Sequence, residues 1–439
     1  MESSARRAYC GHVLHSRNKD TIVARENACV IVESGLVREI LDRLPEGFPP
    51  EAVVDCSDRL IIPGFCDLHT HAPQFLQRGL GMDLPLLDWL NVHTYPTEAA
   101  FADPAHARAI YTRFADELLR QGTLAVCPFP TLHEEASDIL FCTLAERGLY
   151  AFCGKLNMDR NGPPGYIETT AASVASTARF LDTHPGSGNV RPCIVPRFTL
   201  TCTDTLLEAL GGLAARYGVP VHSHVSESIE EIEAVRALFP HDPNGLSIFR
   251  RHGLAGRTPA IMAHCIFPDE ETSRMLASMD IWAVHCPEAT ANIAAGGIMP
   301  VKQLLASGAT LALGSDIGSG SRLSIASAIA ATVRHSKLRR ILFPEWDAVT
   351  FAEAFWMGTR SGGRLFGNVG AFEPGWAFNA LVIDDGAMPM PQAGLTPVER
   401  LERFCYCGDD RWIRARYIQG EEIRVQTAFQ DKPHTQKPQ

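Results

Sequence analysis

The sequence contains no run of 18 or more apolar residues, so it offers no helix of membrane-spanning length. It has no Cys-x-x-Cys pair, and Cys405-Tyr406-Cys407 has the wrong spacing for a zinc knuckle. If that triplet is a strand, its two cysteines share one face. No Gly-x-Gly-x-x-Gly turn follows the first long apolar run, which counts against a dinucleotide-binding sheet. Positive charge is in the minority: 40 Lys and Arg against 50 Asp and Glu give a net charge of −10. Non-specific binding to nucleic acid or to an anionic membrane is therefore not expected. The first residues, Met1 to Arg7, are not followed by an apolar core, so no signal peptide is expected. The 13 cysteines are scattered among strand-like runs such as Ala125-Val126-Cys127, as expected of reduced and mostly buried cytosolic thiols.

What is present is an ordinary globular composition, 46% apolar and 21% charged, over 439 residues. That length accommodates a barrel of about 250 residues or more with a smaller unit beside it. Residues 1–62 carry short apolar runs broken by polar turns, with Glu33-Ser34-Gly35 as a hairpin. His12 and His15 read as exposed strand residues. Leu60-Ile61-Ile62 reads as a buried parallel strand leading into Pro63-Gly64-Phe65-Cys66-Asp67-Leu68-His69-Thr70-His71. A long loop follows, to about Asp103. Further candidate strands lie at Ala125–Phe129, Tyr150–Lys155, Val190–Phe198, Val219–His224, Ala260–His264, Ile281–His285 and Thr310–Asp316, with helical segments between them. Eight β–α repeats predict a (β/α)₈ TIM-type barrel over 63–368. A doubly wound open sheet is the alternative. After 368 the β pattern returns at Phe378–Asp384, Trp412–Tyr417 and Glu422–Val425, with a turn at Gly420. The flanks, 1–62 and 369–425, are expected to join into one small β-domain. The polar stretch 426–439 reads as a disordered tail.

A barrel carries its chemistry at the C-terminal ends of its strands. The first candidate strand ends in His69 and His71, which leave one face because side chains alternate. The fifth ends in His224 with Glu227 just beyond, the sixth in His264, the seventh in His285 and the eighth in Asp316. Five histidines and two carboxylates at one rim predict a divalent metal site, with three imidazoles and a carboxylate suiting Zn²⁺ or Fe²⁺. Such an ion keeps a net positive charge and can lower the pKa of bound water to about 7. Glu227 is close enough to His224 to work beside it as general acid and base. Glu230 and Glu231 are read instead as the acidic first turn of a helix. Arg197 and Phe198 offer a guanidinium donor and a stacking ring, Gln74 an amide that donates and accepts, and Trp89 a wall.

These motifs resemble those of the metal-dependent amidohydrolase superfamily and, within it, the guanine deaminase family. The resemblance rests on "PGFCDLHTHAPQFLQRGLGMDLPLLDWL", "HTYPTE", "VPRFTLTC", "VHSHVSESIEEIEAV", "MAHCIF", "VHCP", "LGSDI" and "EAFWMGTRSGGRLFGNVGAFEPG", over about residues 60–385. It implies hydrolytic deamination of guanine to xanthine and ammonia by a cytoplasmic homodimer with one zinc per chain. It implies His69, His71, His224 and Asp316 as ligands, and Glu227 as proton shuttle with Asp316 assisting. It also implies His264 as a hydrogen-bond partner of the activated water. Gln74, Arg197, Phe198, Trp89 and Leu84 would form the purine pocket. One departure, Glu288-Ala289-Thr290-Ala291-Asn292 after "VHCP", admits a related substrate: 8-oxoguanine, a pterin or a triazine. A cyclic-amide hydrolase would need a bridging lysine, for which Lys155 is the one candidate.

Overall fold

Long alternating strands dominate the first sixty residues, and they form a sheet because polar turns let them fold back on one another. The computed structural model describes residues 6–186, 188–242 and 244–425; the expected tail 426–439 lies outside them. Strands β1 (Arg7–Asn18) and β2 (Thr21–Glu33) pair antiparallel, and β3 (Leu36–Leu41) continues the meander. The turn between β2 and β3 is the expected one: Ser34 and Gly35 have φ of 53° and 76°, the left-handed pair that a two-residue hairpin requires. Strand β4 (Val53–Pro63) then lies parallel to β1.

Leu60-Ile61-Ile62 belongs to β4, not to the barrel. The run is buried and has a parallel neighbour, as predicted, but its sheet is the flanking one. The chain changes sheets at Gly64. Its N–H is bonded to the Asn379 carbonyl at 2.9 Å, and a Cβ there would run into the Leu124 side chain.

From there the β–α alternation unfolds as expected. Strands β5 (Phe65–His71), β6 (Thr123–Phe129), β7 (Tyr150–Cys153) and β9 (Val190–Pro192) form one parallel sheet. Strands β11 (Val221–Val225), β12 (Ala260–His264), β13 (Ile281–His285) and β14 (Thr310–Leu313) form a second. A short parallel pair, β8 (Leu156–Asn157) with β10 (Val195–Pro196), extends the ends of β7 and β9. Backbone hydrogen bonds tie the two sheets to each other on both sides. On one side the Ile194 N–H bonds the Pro220 carbonyl at 2.9 Å, and the His222 N–H bonds the Ile194 carbonyl at 2.8 Å. On the other, the Asp316 N–H bonds the His69 carbonyl at 2.8 Å. The strands β5, β6, β7, β11, β12 and β13 are buried along their full length, as a parallel sheet covered on both faces requires.

The chain then returns to the first sheet as β15 (Ala380–Ile383), β16 (Ile413–Ile418) and β17 (Glu421–Glu422). The completed order is β17-β16-β15-β4-β1-β2-β3. Between β15 and β16 stands a helix, Pro397–Cys407, with a Thr396–Glu399 capping box and Pro at its start. Cys405 and Cys407 therefore lie on this helix, one buried and one exposed, not on one strand face.

Two further expectations are corrected. Cys10 and Cys29 face each other across the β1–β2 ladder with Cα atoms 4.0 Å apart and are joined as a disulfide; the other 11 cysteines are free. The pairing comes from strand register, which spacing does not reveal. His12 and His15 are buried, because β1 is an interior strand and Phe372, distant in sequence, packs on His15 at a ring distance of 6.0 Å. Burial pulls the His15 pKa from 6.5 down to about 4. Between those values the unfolded chain takes up a proton that the folded chain refuses. Stability should fall as pH drops from 6.5 towards 4. The slope is about 1.4 kcal/mol per pH unit at its steepest. Denaturant titrations of wild type and His15→Leu across that range should show the variant curve flatter by roughly 2–3 kcal/mol in total.

Candidate active site

The ends of β5, β11 and β12 and the short segment after β14 meet at one rim, and the side chains there are almost wholly withdrawn from water. His69, His71, His224, His264 and Asp316 are 6% exposed or less. Two groupings of their donor atoms are compact enough to hold one cation: His69 with His71 and Asp316, and His69 with His224 and His264. Asp316 Oδ1 lies 3.3 Å from His69 Nε2 and 3.4 Å from His71 Nε2. His71 Nε2 and His224 Nε2 face each other at 3.1 Å. The backbone departs from ordinary geometry at this rim: Ser226, His264, Cys265 and Asp316 have φ of 53°, 74°, 47° and 47°. Left-handed backbone in residues other than glycine is costly and collects where a side chain must be aimed.

One hydrogen bond fixes the tautomer of His224. The Arg197 carbonyl can only accept, so the His224 Nδ1 atom 2.5 Å away carries the proton and its Nε2 is a bare lone pair. His69 Nδ1 lies 2.9 Å from His222 Nε2, while His69 Nε2 has no hydrogen-bond partner. His222 occupies the position two before His224, and alternation places both on one strand face; that signal was available in the Val-His-Ser-His sequence. Burial pushes the pKa of His69 to about 3 and those of His71, His224 and His264 well down, so the rings are neutral at pH 7. Neutral imidazoles with converging, unpaired nitrogens beside one carboxylate form a donor set suited to a divalent ion.

Glu227 sits 3.6 Å from His264 Nε2, and His264 lies 3.9 Å from Asp316. Burial, then the neighbouring Asp316 and Glu231 charges, raise the Glu227 pKa well above its ordinary value. Glu231, expected only to favour a helix dipole, is buried, and its carboxylate accepts the Glu227 N–H at 2.7 Å. Glu230 is exposed, as expected of a first-turn acid.

A narrow cavity opens onto these groups, lined by His71, Gln74, Leu86, Trp89, Leu90, Arg197, Phe198, His224, Glu227, Asp316 and Ser319. Gln74, Trp89, Arg197 and Phe198 are thus brought together with the metal-capable residues. Leu84 is not among the lining residues; it packs half-buried against the core while Leu86 and Leu90 form the apolar wall. A helical turn starting at Leu86, which periodicity in so short a segment does not fix, decides which leucines turn inward. The Trp89 indole N–H is used within its own loop, on the Leu80 carbonyl at 2.9 Å. His285 stands apart from both the cavity and the metal-capable groups. Glu288 accepts from Ser327 and Ser321 at 2.8 and 3.1 Å and faces a separate polar cavity behind the rim. Lys155 is sealed in an ion pair with Glu168 and also bonds the Leu156 carbonyl. A residue missed from the sequence is Glu98, the last letter of "HTYPTE". It is wholly buried and bonds Gln74, Tyr166 and Arg197.

A metal-capable rim of histidines and an aspartate on a ring of parallel strands matches an established family. The model of the amidohydrolase family covers residues 60–423, and the chain belongs to that family. Among its relatives are guanine deaminases. That of Dictyostelium discoideum is 35% identical over 382 residues, 85% of this chain and 84% of the relative. That of Homo sapiens is 32% identical over 381 residues, 82% of each chain. The solved guanine deaminase from C. acetobutylicum, with guanine bound in its active site, superposes with a TM-score of 0.93 at 35% identity. The match covers 95% of this chain and all of that one.

The geometry makes His224 the best-oriented donor of the set. His224→Ala should reduce tightly bound divalent metal, assayed by elemental analysis after gel filtration, by at least about tenfold. The far-ultraviolet circular dichroism should stay unchanged.

Proposed function

We propose that this protein hydrolytically deaminates guanine to xanthine and ammonia. The observation that carries the reading is that Gln74 and Arg197, suited to a carbonyl-bearing heterocycle, line the same small cavity as Glu227, His71, His224 and Asp316. His69, His71, His224 and Asp316 would hold one Zn²⁺, with Fe²⁺ as the alternative ion. When bound, the ion supplies Lewis acidity that makes water a competent nucleophile near neutral pH.

The protein's own groups do the rest. Phe198 and the Leu86, Trp89 and Leu90 wall hold the flat base and exclude water. Arg197 has donors only, so it favours a ring carbonyl and leaves an amino group in that place unpaired. Adenine should be a poor substrate for that reason. Glu227 carries the mobile proton. It donates to the ring nitrogen beside the amino-bearing carbon as the water oxygen bonds to that carbon. A proton from the attacking water then passes through Glu227 to the amino group, the carbon–nitrogen bond breaks and ammonia leaves, and the second water proton returns to Glu227 as the new carbonyl forms. Its raised pKa suits a group that must hold a proton near neutrality. His264 would hydrogen-bond the attacking water.

None of the residues Glu288–Asn292, whose departure suggested another heterocycle, lines this cavity, although Asn292 donates to the carbonyl of Ser319, which does. A cyclic-amide hydrolase with a lysine-bridged metal pair is disfavoured, since the Lys155 amine is already engaged by Glu168. The proposal includes two domains, the barrel over 63–368 and a sheet from the flanks, in a cytoplasmic homodimer. Light scattering should give about twice the 48.0 kDa chain mass.

Ammonia release over guanine, 8-oxoguanine, a pterin, adenine and cytosine tests the assignment; greatest kcat/KM on a non-purine would overturn it. Glu227→Gln should retain its metal and lose about 10²- to 10⁴-fold in kcat. Turnover close to wild type would remove Glu227 from the shuttle role.

A further inference from the structure

Glu98 is buried at 0% exposure and receives donors from three separate segments of the chain. Gln74 Nε2 donates to Oε1 at 2.8 Å, and the Tyr166 hydroxyl donates to Oε2 at 2.8 Å. Arg197 grips both oxygens, at 2.6 Å through Nη1 and 3.3 Å through Nη2. Gln74 and Arg197 line the cavity, whereas Glu98 does not.

A carboxylate accepts and does not donate. Beside Glu98 the Gln74 amide must therefore turn its nitrogen inward, and a flip of the amide would set oxygen against oxygen. That orientation leaves Gln74 with its Oε1 acceptor, met only by Gln77 Nε2 at 3.5 Å, and one spare N–H. Gly318 backs the same oxygen so closely that any Cβ there would collide with it. The two-point grip likewise fixes the guanidinium plane and leaves Arg197 its Nε–H and outer N–H groups. The spare groups of the pair comprise several donors and one acceptor. In guanine the ring carbonyl is an acceptor and the adjoining ring N–H is a donor.

We propose that Glu98 is a positioning residue that sets substrate preference, holding Gln74 and Arg197 in the arrangement that matches a ring carbonyl beside a ring N–H. This rests on the guanine reading above. The test compares guanine with 2,6-diaminopurine, which has the same 2-amino group but reverses both of the other features. In Glu98→Gln an amide replaces the carboxylate, so Gln74 loses its enforced orientation and Arg197 its counter-charge. The ratio of kcat/KM for guanine over 2,6-diaminopurine should fall at least tenfold, with the KM for guanine rising more than kcat falls and bound metal unchanged. A general structural defect would slow both substrates together. An unchanged ratio overturns the proposal. Should Glu98→Gln fail to fold, Tyr166→Phe removes one donor while keeping the charge. A ratio lowered about threefold supports the role, and a wild-type ratio overturns it. Wild-type protein inert towards guanine would instead overturn the functional reading itself.

Discussion

The bond from the Asp316 N–H to the His69 carbonyl ties the segment just after β14 to β5 and sets the Asp316 carboxylate beside the His69 and His71 rings. Asp67 reinforces the same seam: its buried carboxylate takes the Ser315 N–H at 3.0 Å and the Ser315 hydroxyl at 2.5 Å. If this seam opened, the carboxylate and the imidazoles would separate together. Parallel strands explain why the chemistry gathers there. All of them point one way, so their final residues converge on a single rim.

The rim departs from regular backbone where side chains must be aimed. The left-handed residues Ser226, His264, Cys265 and Asp316 lie within hydrogen-bonded corners that offset their strain. The Cys265 N–H bonds the Val225 carbonyl at 2.8 Å, the Ile266 N–H bonds the Ser226 carbonyl at 3.1 Å, and the Gly320 N–H bonds the Asp316 carbonyl at 2.6 Å. Glu231 holds the segment carrying Glu227 in the same manner, from one helical turn further on.

Much of this was legible in the chain because it is local. Strand-length apolar runs, their alternation with helices and the polar residue ending each run are properties of short windows, and they located the barrel strands after the first and the converging histidines. The misreadings arose where distant segments decide. Leu60-Ile61-Ile62 looks the same in either sheet, and only its partners β1 and β15 assign it. His15 is buried because Phe372 covers it, and Cys10 meets Cys29 through register. His285 ends its strand like the others but does not line the cavity. Glu98 lay in a quoted motif, yet its importance emerges only when Gln74, Tyr166 and Arg197 close on it from three directions.

Arg197 serves two masters through different atoms. Its side chain lines the substrate cavity, and its main-chain carbonyl orients His224. The carbonyl is the same whatever residue stands at that position. The His224 tautomer therefore does not depend on the Arg197 side chain, whereas loss of the guanidinium would leave the buried Glu98 carboxylate without its counter-charge. Such a division lets one residue face the cavity with its side chain and orient a histidine with its main chain, so that the proton on His224 is placed by the course of the backbone and not by the choice of residue.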